Sequence, residues 1–566
     1  MRWPYAATRA ASEALPLALA LLLAGLGTAS STGAPPLPPP PDAPRGNAKP
    51  APQSQTIFSP ALPAVPSTAP SQSGPWQALT NQPPFNAGAM LLLTDGTLMV
   101  HDQGSANTGS SNWWRFAPDR YGSYLNGTWS RLASLPAGYA PLYFASGVLA
   151  DGRVIIEGGL YNNGEATPTT LGASYDPLAD QWTLIAAPPA ILGKSISGAA
   201  AVLSEGTFIV GGDDTPYQAA FSPSAGWAVN GTGKADINDE ETWTLLPSGA
   251  LLTVDANNLA KPTNSEIFVG GYYYNWSSAG STGVELATME PSAAGGNQVG
   301  PQILRPDGTV FVAGATGHTA VYDSTWQTWC RGPDFPIING VQYSLSDGPA
   351  ALLPSGKVLV AASPSLYQPP THFFTFDGSV LSQVPDPPNA GSLPSYAPYM
   401  IVLPTGQVMF NSRIGDVELF TEGGSAAAAS VPEIVPPVPQ TLTPGQSYVL
   451  NGRQLNGVSQ GAAYAEGYQP STNYPLVRLI FPRTQHVYYA RTSGHTSMSV
   501  TPSLLSSTNF TVPADIETGP ALLYAVANGV ASAPVSVTVV APVLLPYLIK
   551  RGAGEAGVGG GPVRRP

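Results

Sequence analysis

The chain predicts short β-strands arranged in hairpins along most of its length. Residues 143–149 form an apolar run, Ala150-Asp151-Gly152 makes a tight turn, and residues 153–157 return as a second strand before a diglycine. Tyr175 and Trp182 follow, seven residues apart. Their spacing predicts two further strands. We therefore expect a sheet of four antiparallel strands.

This unit recurs along the chain with a variable period. Comparable turn glycines stand 43 to 59 residues apart, at Gly96, Gly152, Gly206, Gly249, Gly308, Gly356 and Gly406. A period near 50 with this content is typical of kelch repeats, so seven repeats predict a seven-bladed β-propeller over residues 75–430. Aromatic pairs recur as well and should pack one blade on the next: Phe221 with Trp227, Phe268 with Trp276, and Tyr322 with Trp329.

The last repeat lacks its fourth strand. Its third strand is predicted at residues 417–420, and no tryptophan follows. Trp76 stands alone just before the first repeat. We expect the strand around Trp76 to complete the seventh blade and close the ring, which removes free sheet edges.

The pattern changes after residue 430. Shorter alternating strands over residues 431–541 predict an immunoglobulin-like sandwich, with strands at 447–450, 476–481, 486–491, 521–526 and 535–540. The overall prediction is an all-β chain. The Gly-rich residues 542–566 are expected to be a C-terminal tail.

The N-terminus predicts export. Arg2 and Arg9 precede an apolar run over residues 14–26 and a group of small residues, which is typical of a signal peptide over residues 1–31. The run is short for a permanent span, so we expect no stable membrane span after its removal. Residues 32–74, rich in Pro, Ala and Ser, should form an exposed linker. We expect a secreted, extracellular or cell-envelope protein.

Composition supports this picture and excludes some partners. The 566 residues include 61 Gly and 61 Pro, which suits many strands and turns. Charged residues make up 10% and the net charge is −12, without a basic cluster, so we expect no nucleic-acid partner. Cys330 is the single cysteine, so the fold is not built on disulfides. We expect a monomer.

Counting back from each turn glycine of the repeats locates candidate ligand-binding residues. Nine or ten residues before each turn glycine, the innermost strand should meet the mouth of the central channel. These positions hold Ala87, Tyr143, Ser197, Glu240, Gln298 (or Val299), Asp347 and Tyr396. Aromatic faces beside carboxylates suit a sugar-like polyol. Three alternatives stay open: a hydrogen-bonded tyrosine lid over the channel, a solvated loop at Glu240, and an ordinary turn at Asp347.

The predicted domain order, a seven-bladed kelch propeller followed by a sandwich, resembles that of the galactose oxidases and glyoxal oxidases, whose second domain belongs to the early-set group. The resemblance implies a copper site with a tyrosine cross-linked to a cysteine, a second tyrosine, two histidines and a stacking aromatic residue. Tyr143 stands where the cross-linked tyrosine would be, and Asp151-Gly152-Arg153-Val154 after it also matches. Tyr161 corresponds to the stacking residue, and Tyr396 to the axial tyrosine.

The copper pattern is incomplete in this chain. Ala397 stands where a histidine ligand should follow Tyr396, and Ala87 stands at the position of the cross-linking cysteine. The sandwich histidine corresponds to His495, with His486 as the alternative. One imidazole and two phenols, Tyr143 and Tyr396, form a poor site for Cu(II), which favours imidazole-rich sites. No cofactor is therefore expected, although copper at these residues stays an alternative.

The sequence thus favours a binding protein over an enzyme. We expect a carbohydrate, such as a cell-surface glycan, or a similar polar ligand at the propeller mouth. The predicted contacts are Tyr143, Tyr161, Ser197, Glu240, Gln298, Asp347, Tyr396 and His495. The alternatives are a copper-radical oxidase of alcohols or aldehydes with a remodelled site, and an interaction scaffold with a plugged channel.

Overall fold

The computed structural model describes most of the chain after the N-terminal region. The described residues are 74–104, 108–258, 263–270, 275–289, 297–413, 416–464, 468 and 470–542. The predicted signal peptide, the linker up to residue 73 and the tail after residue 542 lie outside the described residues. None of the described residues belongs to a helix long and apolar enough to cross a membrane.

Six four-stranded antiparallel sheets, and a seventh blade whose four strands are extended by a fifth, confirm the predicted seven-bladed propeller. Blade 1 has strands at Ala87–Leu92, Leu98–Asp102, Trp113–Ala117 and Thr128–Arg131. Blade 2 has strands at Ala145–Val148, Val154–Glu157, Gly172–Asp176 and Gln181–Leu184. Blade 3 has strands at Ala200–Val202, Phe208–Gly211, Gln218–Ser222 and Gly226–Val229. Blade 4 has strands at Thr244–Leu245, Leu251–Val254, Ser265–Val269 and Asn275–Gly280.

The remaining blades repeat this order. Blade 5 has strands at Gln302–Leu304, Thr309–Ala313, Thr319–Asp323 and Thr328–Arg331. Blade 6 has strands at Pro349–Leu352, Val358–Ala362, His372–Phe376 and Leu381–Val384. Blade 7 has strands at Tyr399–Val402, Val408–Asn411, Val417–Phe420 and Trp76–Ala78. The first strands of neighbouring blades contact one another, so these strands surround the hub.

The ring closes through the N-terminal strand, as predicted. Trp76 pairs with Phe420 across the seam. Its indole is 2% exposed and donates a hydrogen bond to the Pro385 carbonyl at 2.6 Å. Phe373 of blade 6 lies edge-on to the indole at 5.0 Å. Residues at the two ends of the repeat array therefore share one core, which holds the ring shut.

The repeated aromatic pairs are cross-strand pairs between the third and fourth strands of their blades. Tyr175 faces Trp182 in blade 2, with ring centroids 5.1 Å apart. The Trp182 indole also contacts Trp113 of blade 1 at 5.4 Å. These rings therefore pack one blade against the next, which was the role predicted for them.

The recurring diglycines have a steric cause. Gly158 has a left-handed backbone with φ of +77°, and a Cβ there would lie 1.9 Å from the carbonyl oxygen of Ile196. A Cβ on Gly212 in the next blade would lie 2.0 Å from the carbonyl oxygen of Leu192. The loop entering blade 3 therefore passes so close to the second-strand ends of blades 2 and 3 that only glycine fits at either position.

The C-terminal strands form one nine-stranded sheet. In pairing order its main path holds Glu433–Val435, Ser447–Arg453, Leu505–Thr511, Val487–Ser493, Leu476–Ile480, Gly519–Ala527, Val535–Val539 and Thr441–Leu442, with Val530–Ala531 paired beside Gly519–Ala527. The path is continuous because Val487–Ser493 pairs with one neighbour through its first half and with another through its last three residues. Leu450 and Phe510 share an apolar core with Val477 and Leu523, so the sheet curves around its own core.

This C-terminal unit docks on the turn side of the propeller. The backbone amide of Thr492 donates to Thr94 at 3.1 Å, that of His495 to Ala150 at 2.9 Å, and that of Met498 to Ser204 at 2.8 Å. These acceptors lie in the turns between the first and second strands of blades 1 to 3. The predicted mouth residues precede the first strands and lie at their opposite end.

Short elements connect the blades. Paired two-residue strands are Pro141–Leu142 with Tyr161–Asn162, Thr288–Met289 with Asn297–Gln298, and Ile337–Ile338 with Val341–Gln342. The described 3-10 turns are Ala190–Leu192, Ala390–Ser392 and Ala428–Ser430. The strand Ala462–Tyr464 joins blade 6 from the C-terminal region.

Candidate functional site

Three predicted mouth residues have strained backbones. Tyr143, Glu240 and Asp347 stand nine residues before their turn glycines, in blades 2, 4 and 6, and have φ of 54°, 62° and 46°. Left-handed φ is uncommon for residues other than glycine. Strained residues of this kind cluster at functional sites. All three side chains are buried.

Arg413 is the residue around which the mouth tyrosines gather. It follows the second strand of blade 7, has φ of 64°, and is 1% exposed. Its Nη2 donates to the hydroxyl of Tyr143 at 3.3 Å, and its Nε donates to Oε1 of Gln103 at 3.0 Å. Its Cζ lies 5.7 Å from the ring centroids of Tyr143 and Tyr396 and 5.6 Å from that of Tyr399. Counting back from the turn glycines does not reach Arg413, because this residue follows a second strand.

The charge of Arg413 has no carboxylate partner among the described residues. Its Nη1 is buried and has no hydrogen-bond partner there. Burial acts to lower the pKa of the guanidinium, but the surrounding phenols, Tyr143 foremost, outweigh burial and raise this pKa above its ordinary value. Arg413 therefore stays a cation inside a cage of aromatic rings.

Two further aromatic contacts extend this cage. Tyr161 lies edge-on to Tyr143 with ring centroids 6.0 Å apart. Tyr367 lies edge-on to Tyr396 at 5.1 Å. The structure thus places two of the predicted mouth residues, Tyr143 and Tyr396, beside Arg413, and a third, Tyr161, against Tyr143.

A segment of the C-terminal region fills the hub. Ala462–Tyr464 pairs with the first strand of blade 6, and the Tyr464 hydroxyl donates to the Tyr396 carbonyl. Farther along, the amide of Met90 donates to the Tyr468 hydroxyl at 2.8 Å, and the Tyr474 hydroxyl donates to a carbonyl at the turn end of blade 1. These contacts run from the mouth to the docking side. The sequence feature that could have predicted this hub segment is the series of tyrosines at 464, 468 and 474 in a stretch of otherwise small and polar residues.

Ser197 and Gln298 lie in separate local environments. The Ser197 hydroxyl donates to Oδ2 of Asp213 at 2.9 Å, and its amide donates to Oδ1 at 2.9 Å. Burial raises the pKa of Asp213 against these hydrogen bonds. Gln298 is 2% exposed and belongs to a two-stranded sheet with Thr288–Met289. The amide of Asp347 donates to the Val299 carbonyl at 3.2 Å, which links the mouths of blades 5 and 6.

The placement of His495 at the mouth is wrong. Its amide bonds to Ala150 in the turn of blade 2, and its Nδ1 lies 2.9 Å from the hydroxyl of Thr508. Tyr143 is seven residues from Ala150 along the strand, or roughly 20 Å at 3.3 Å per residue. Burial lowers the pKa of His495 to about 4. The hairpin that carries His495 docks under the ring, and the segment in the channel carries tyrosines. His486, the alternative, pairs with Glu517 at 3.2 Å.

The described residues do not fit the copper site that the resemblance implies. Tyr143 and Tyr396 both face the Arg413 guanidinium, and a permanent cation there disfavours a second one. Cys330 is exposed on the outer strand of blade 5, so it cannot form the implied cross-link with Tyr143. Buried alanines stand at positions 87 and 397. We derive no chemistry through copper.

A second charged group lies beside the mouth, in blade 4 and the loop that leads into it. The Lys234 side chain is fully buried, and its Nζ donates to Oε1 of Glu241 at 2.9 Å and to a carboxylate oxygen of Asp236. Glu266 lies 3.3 Å from the same Nζ. Burial and Asp236 raise the pKa of Asp255, which completes the group, to about 7. In the sequence, the visible sign of this group is the acidic run 239–241.

Comparisons with known proteins give distant structural similarities alone. No protein-family model matches the chain, and no curated protein matches it. A solved streptogramin B lyase is 9% identical, with a TM-score of 0.41, over 61% of this chain and 96% of that chain. YCF48 bound to D1 peptide is 14% identical, with a TM-score of 0.39, over 64% and 100%. The WD40 propeller domain of Doa1 is 9% identical, with a TM-score of 0.39, over 62% and 97%. At these TM-scores and identities the similarities carry no argument about this chain.

Proposed function

We propose that the propeller mouth binds a carbohydrate or similar polar ligand, and that Arg413 receives a carboxylate or another anionic group of that ligand. The observation that carries this proposal is the buried guanidinium of Arg413, which has no ion pair and an unpartnered Nη1 among the described residues. A buried charge without a counter-charge is costly to keep. A ligand anion would supply the missing partner.

The surrounding side chains suit the rest of such a ligand. Tyr143, Tyr161 and Tyr396 offer aromatic faces and hydroxyls, which favour sugar rings by stacking and hydrogen bonding. Glu240 and Asp347 bring carboxylate acceptors for hydroxyl groups, held on a strained backbone.

We also propose that the chain is a remote relative of the kelch-repeat galactose oxidases that has exchanged copper for a guanidinium. In this proposal the C-terminal sheet corresponds to the early-set immunoglobulin-like domain. The proximity of Tyr143, Tyr161 and Tyr396 supports it, as does the C-terminal segment through the hub. The nine-stranded sheet with one enclosed core is compatible with a sandwich.

The test compares acidic and neutral glycans of matched size. A glycan array would select candidates, and calorimetry would compare a uronate-containing oligosaccharide with its neutral counterpart. Arg413→Gln should weaken binding of the acidic glycan by about 10- to 100-fold, since a hydrogen bond to a charged group contributes about 1.5–3 kcal/mol. Arg413→Lys keeps the charge and should lose less. Arg331→Gln, on the exposed outer strand of blade 5, is the matched control.

The result that overturns the proposal is also defined. If folded R413Q and R413K bind every selected glycan as tightly as the unmodified chain, Arg413 does not receive the ligand. If the array selects neutral glycans alone, the anionic part of the proposal is wrong.

A second candidate is an interaction scaffold whose channel is permanently plugged. The hub contacts of Tyr464 and Tyr468 favour it, because they fill the channel with protein. An array without any glycan binding, by a chain shown to be folded, would support this candidate instead.

A further inference from the structure

The Asn339-Gly340 turn joins the two strands of a short hairpin between blades 5 and 6. Ile337–Ile338 pairs with Val341–Gln342, and the turn residues have left-handed backbones, with φ of 52° for Asn339 and 81° for Gly340. Asn-Gly is the preferred sequence for such a two-residue hairpin turn. Both turn residues are exposed, and a Cβ on Gly340 would meet nothing within 4 Å. Open space therefore surrounds the tip of this hairpin.

An Asn-Gly pair carries its own nucleophile and electrophile. The backbone nitrogen of the glycine loses its proton and bonds to Cγ of the asparagine, and the bond from Cγ to Nδ2 breaks, with ammonia as the leaving group. Water then opens the five-membered imide at either carbonyl carbon, which yields aspartate or isoaspartate. Glycine favours the attack because it has no side chain and its backbone rotates freely. Hydrogen bonds that hold the asparagine amide in another orientation oppose it.

Burial sets most Asn-Gly pairs of this chain apart from the turn at Asn339. The sequence holds seven such pairs, all within the described residues, which begin at Asn126, Asn163, Asn230, Asn339, Asn451, Asn456 and Asn528. Five of the pairs include at least one buried residue. Only Asn163-Gly164 and Asn339-Gly340 are exposed at both positions. Folding therefore leaves two candidates for the reaction.

The two exposed turns differ in how the asparagine side chain is held. Asn163 and Gly164 have φ of 53° and 84°, so the backbone of this turn closely matches that of the turn at Asn339. Nδ2 of Asn163, however, donates to the Gly138 carbonyl at 3.0 Å. Neither the Asn339 side chain nor the Gly340 amide makes a hydrogen bond within the described part of the chain. Cγ of Asn339 is thus free to turn toward the Gly340 nitrogen.

The hairpin also resists rotation of its turn only weakly. Two residue pairs join its strands, and Ile337 is 67% and Val341 47% exposed. The base of the hairpin is anchored instead, because Nε2 of Gln342 donates to the carbonyls of Phe335 and Tyr343 at 2.8 Å each. Segments with few buried contacts open locally at little cost in free energy. The tip can therefore open while the base stays attached.

We propose that Asn339 is a site of spontaneous deamidation, which proceeds through a succinimide with Gly340 to isoaspartate and aspartate. The product places one more negative charge on a chain whose net charge is already −12. Isoaspartate also adds one methylene to the backbone, and a two-residue turn has no room for it while Ile338 and Val341 stay paired. Deamidation at Asn339 does not depend on any ligand at the mouth.

The test follows the full, folded chain during incubation at physiological pH and temperature. Trypsin cleaves after Arg331 and Lys357 to release residues 332–357 with Asn339, and after Arg153 and Lys194 to release residues 154–194 with Asn163. Deamidation raises a peptide's mass by about 1 Da, and fragmentation locates the change and separates isoaspartate from aspartate. Peptide 332–357 should gain this mass about tenfold faster than peptide 154–194, because the Asn163 amide is held in place. The rate should rise with pH, since the attacking nitrogen must lose its proton.

Unfolding the chain in urea is the matched control. Both peptides should then react at similar rates, because the two dipeptides are identical and the Gly138 hydrogen bond is lost. Gly340→Ala and Asn339→Gln should each suppress the reaction in peptide 332–357 of the folded chain and leave peptide 154–194 unchanged. The proposal is overturned if peptide 332–357 of the folded chain gains no mass, or if it gains mass no faster than peptide 154–194.

Discussion

The closing strand of the ring yields the sharpest stability prediction. Trp76→Ala removes an indole that is 2% exposed and lies edge-on to three rings, with centroids 5.0 Å from Phe373, 5.4 Å from Phe410 and 4.9 Å from Phe420. It also removes the hydrogen bond to Pro385. Truncating a buried tryptophan costs about 3–5 kcal/mol, and this site should lie near about 4 kcal/mol.

The size of the thermal shift follows from the size of the unit. Unfolding entropy is about 2.1 cal/mol/K per residue, so a unit of about 470 residues unfolds with about 1 kcal/mol/K. A loss of about 4 kcal/mol then lowers the melting temperature by about 4 °C if the propeller and the C-terminal sheet unfold together. Calorimetry measures such a shift readily. If the propeller unfolds by itself, the shift is larger.

The control is an exposed tryptophan of the same chain. Trp326 is 77% exposed in a blade 5 turn, and Trp326→Ala should shift the melting temperature by less than about 1 °C. The shift in melting temperature for Trp76→Phe should lie between those of the two alanine variants, because phenylalanine keeps part of the ring packing and loses the indole N–H. If W76A and W326A have the same melting temperature, the N-terminal strand does not hold the ring closed.

The other predictions concern a buried acid and a diglycine. Burial, with Asp416, raises the pKa of Glu418 to about 8. Between about pH 4.5 and 8 the folded chain therefore keeps a proton on Glu418 that the unfolded chain has released. The free energy of unfolding falls as the pH rises through this range. Glu418→Gln should raise the free energy of unfolding by about 2–3 kcal/mol at pH 7 and hardly at all at pH 4; urea titrations that give equal gains at both pH values would contradict this. Gly158→Ala should cost about 3 kcal/mol or more because of the clash with Ile196, whereas Gly138→Ala, also left-handed but with open space around it, should cost only about 1 kcal/mol. Equal losses in urea for the two glycine variants would contradict the steric argument.

The group around Arg413 gives a physical account of why the copper pattern fails. A site that binds a metal cation between phenols needs negative charge to gather there. Here the position between Tyr143 and Tyr396 is taken by a side chain that cannot release its proton. Alanines at 87 and 397 replace the cysteine and histidine that the resemblance implies, and a cation stands at 413, so all three positions weigh against a copper site.

Local patterns in the sequence were sufficient for the blades. Alternation, turn glycines and paired aromatic residues act over a few neighbouring residues, so they predicted the strands of the repeats, the strand at 417–420 and the partner role of Trp76. In the C-terminal unit the pattern predicted five strands near their observed places and missed Leu505–Thr511. That strand is polar and partly exposed, and it is held mainly by its two neighbours.

Only the closed ring decided which side chains share the hub. Counting back from the turn glycines found Tyr143 and Tyr396, because every blade repeats that geometry. It could not find Arg413, which follows a second strand, or Tyr464, which arrives from the C-terminal region. It also set His495 at the wrong end of the ring, since the sequence does not encode which segment enters the channel. Strands and turns depend on neighbours in the chain, whereas the hub is formed by residues up to 382 positions apart that meet only when the ring closes.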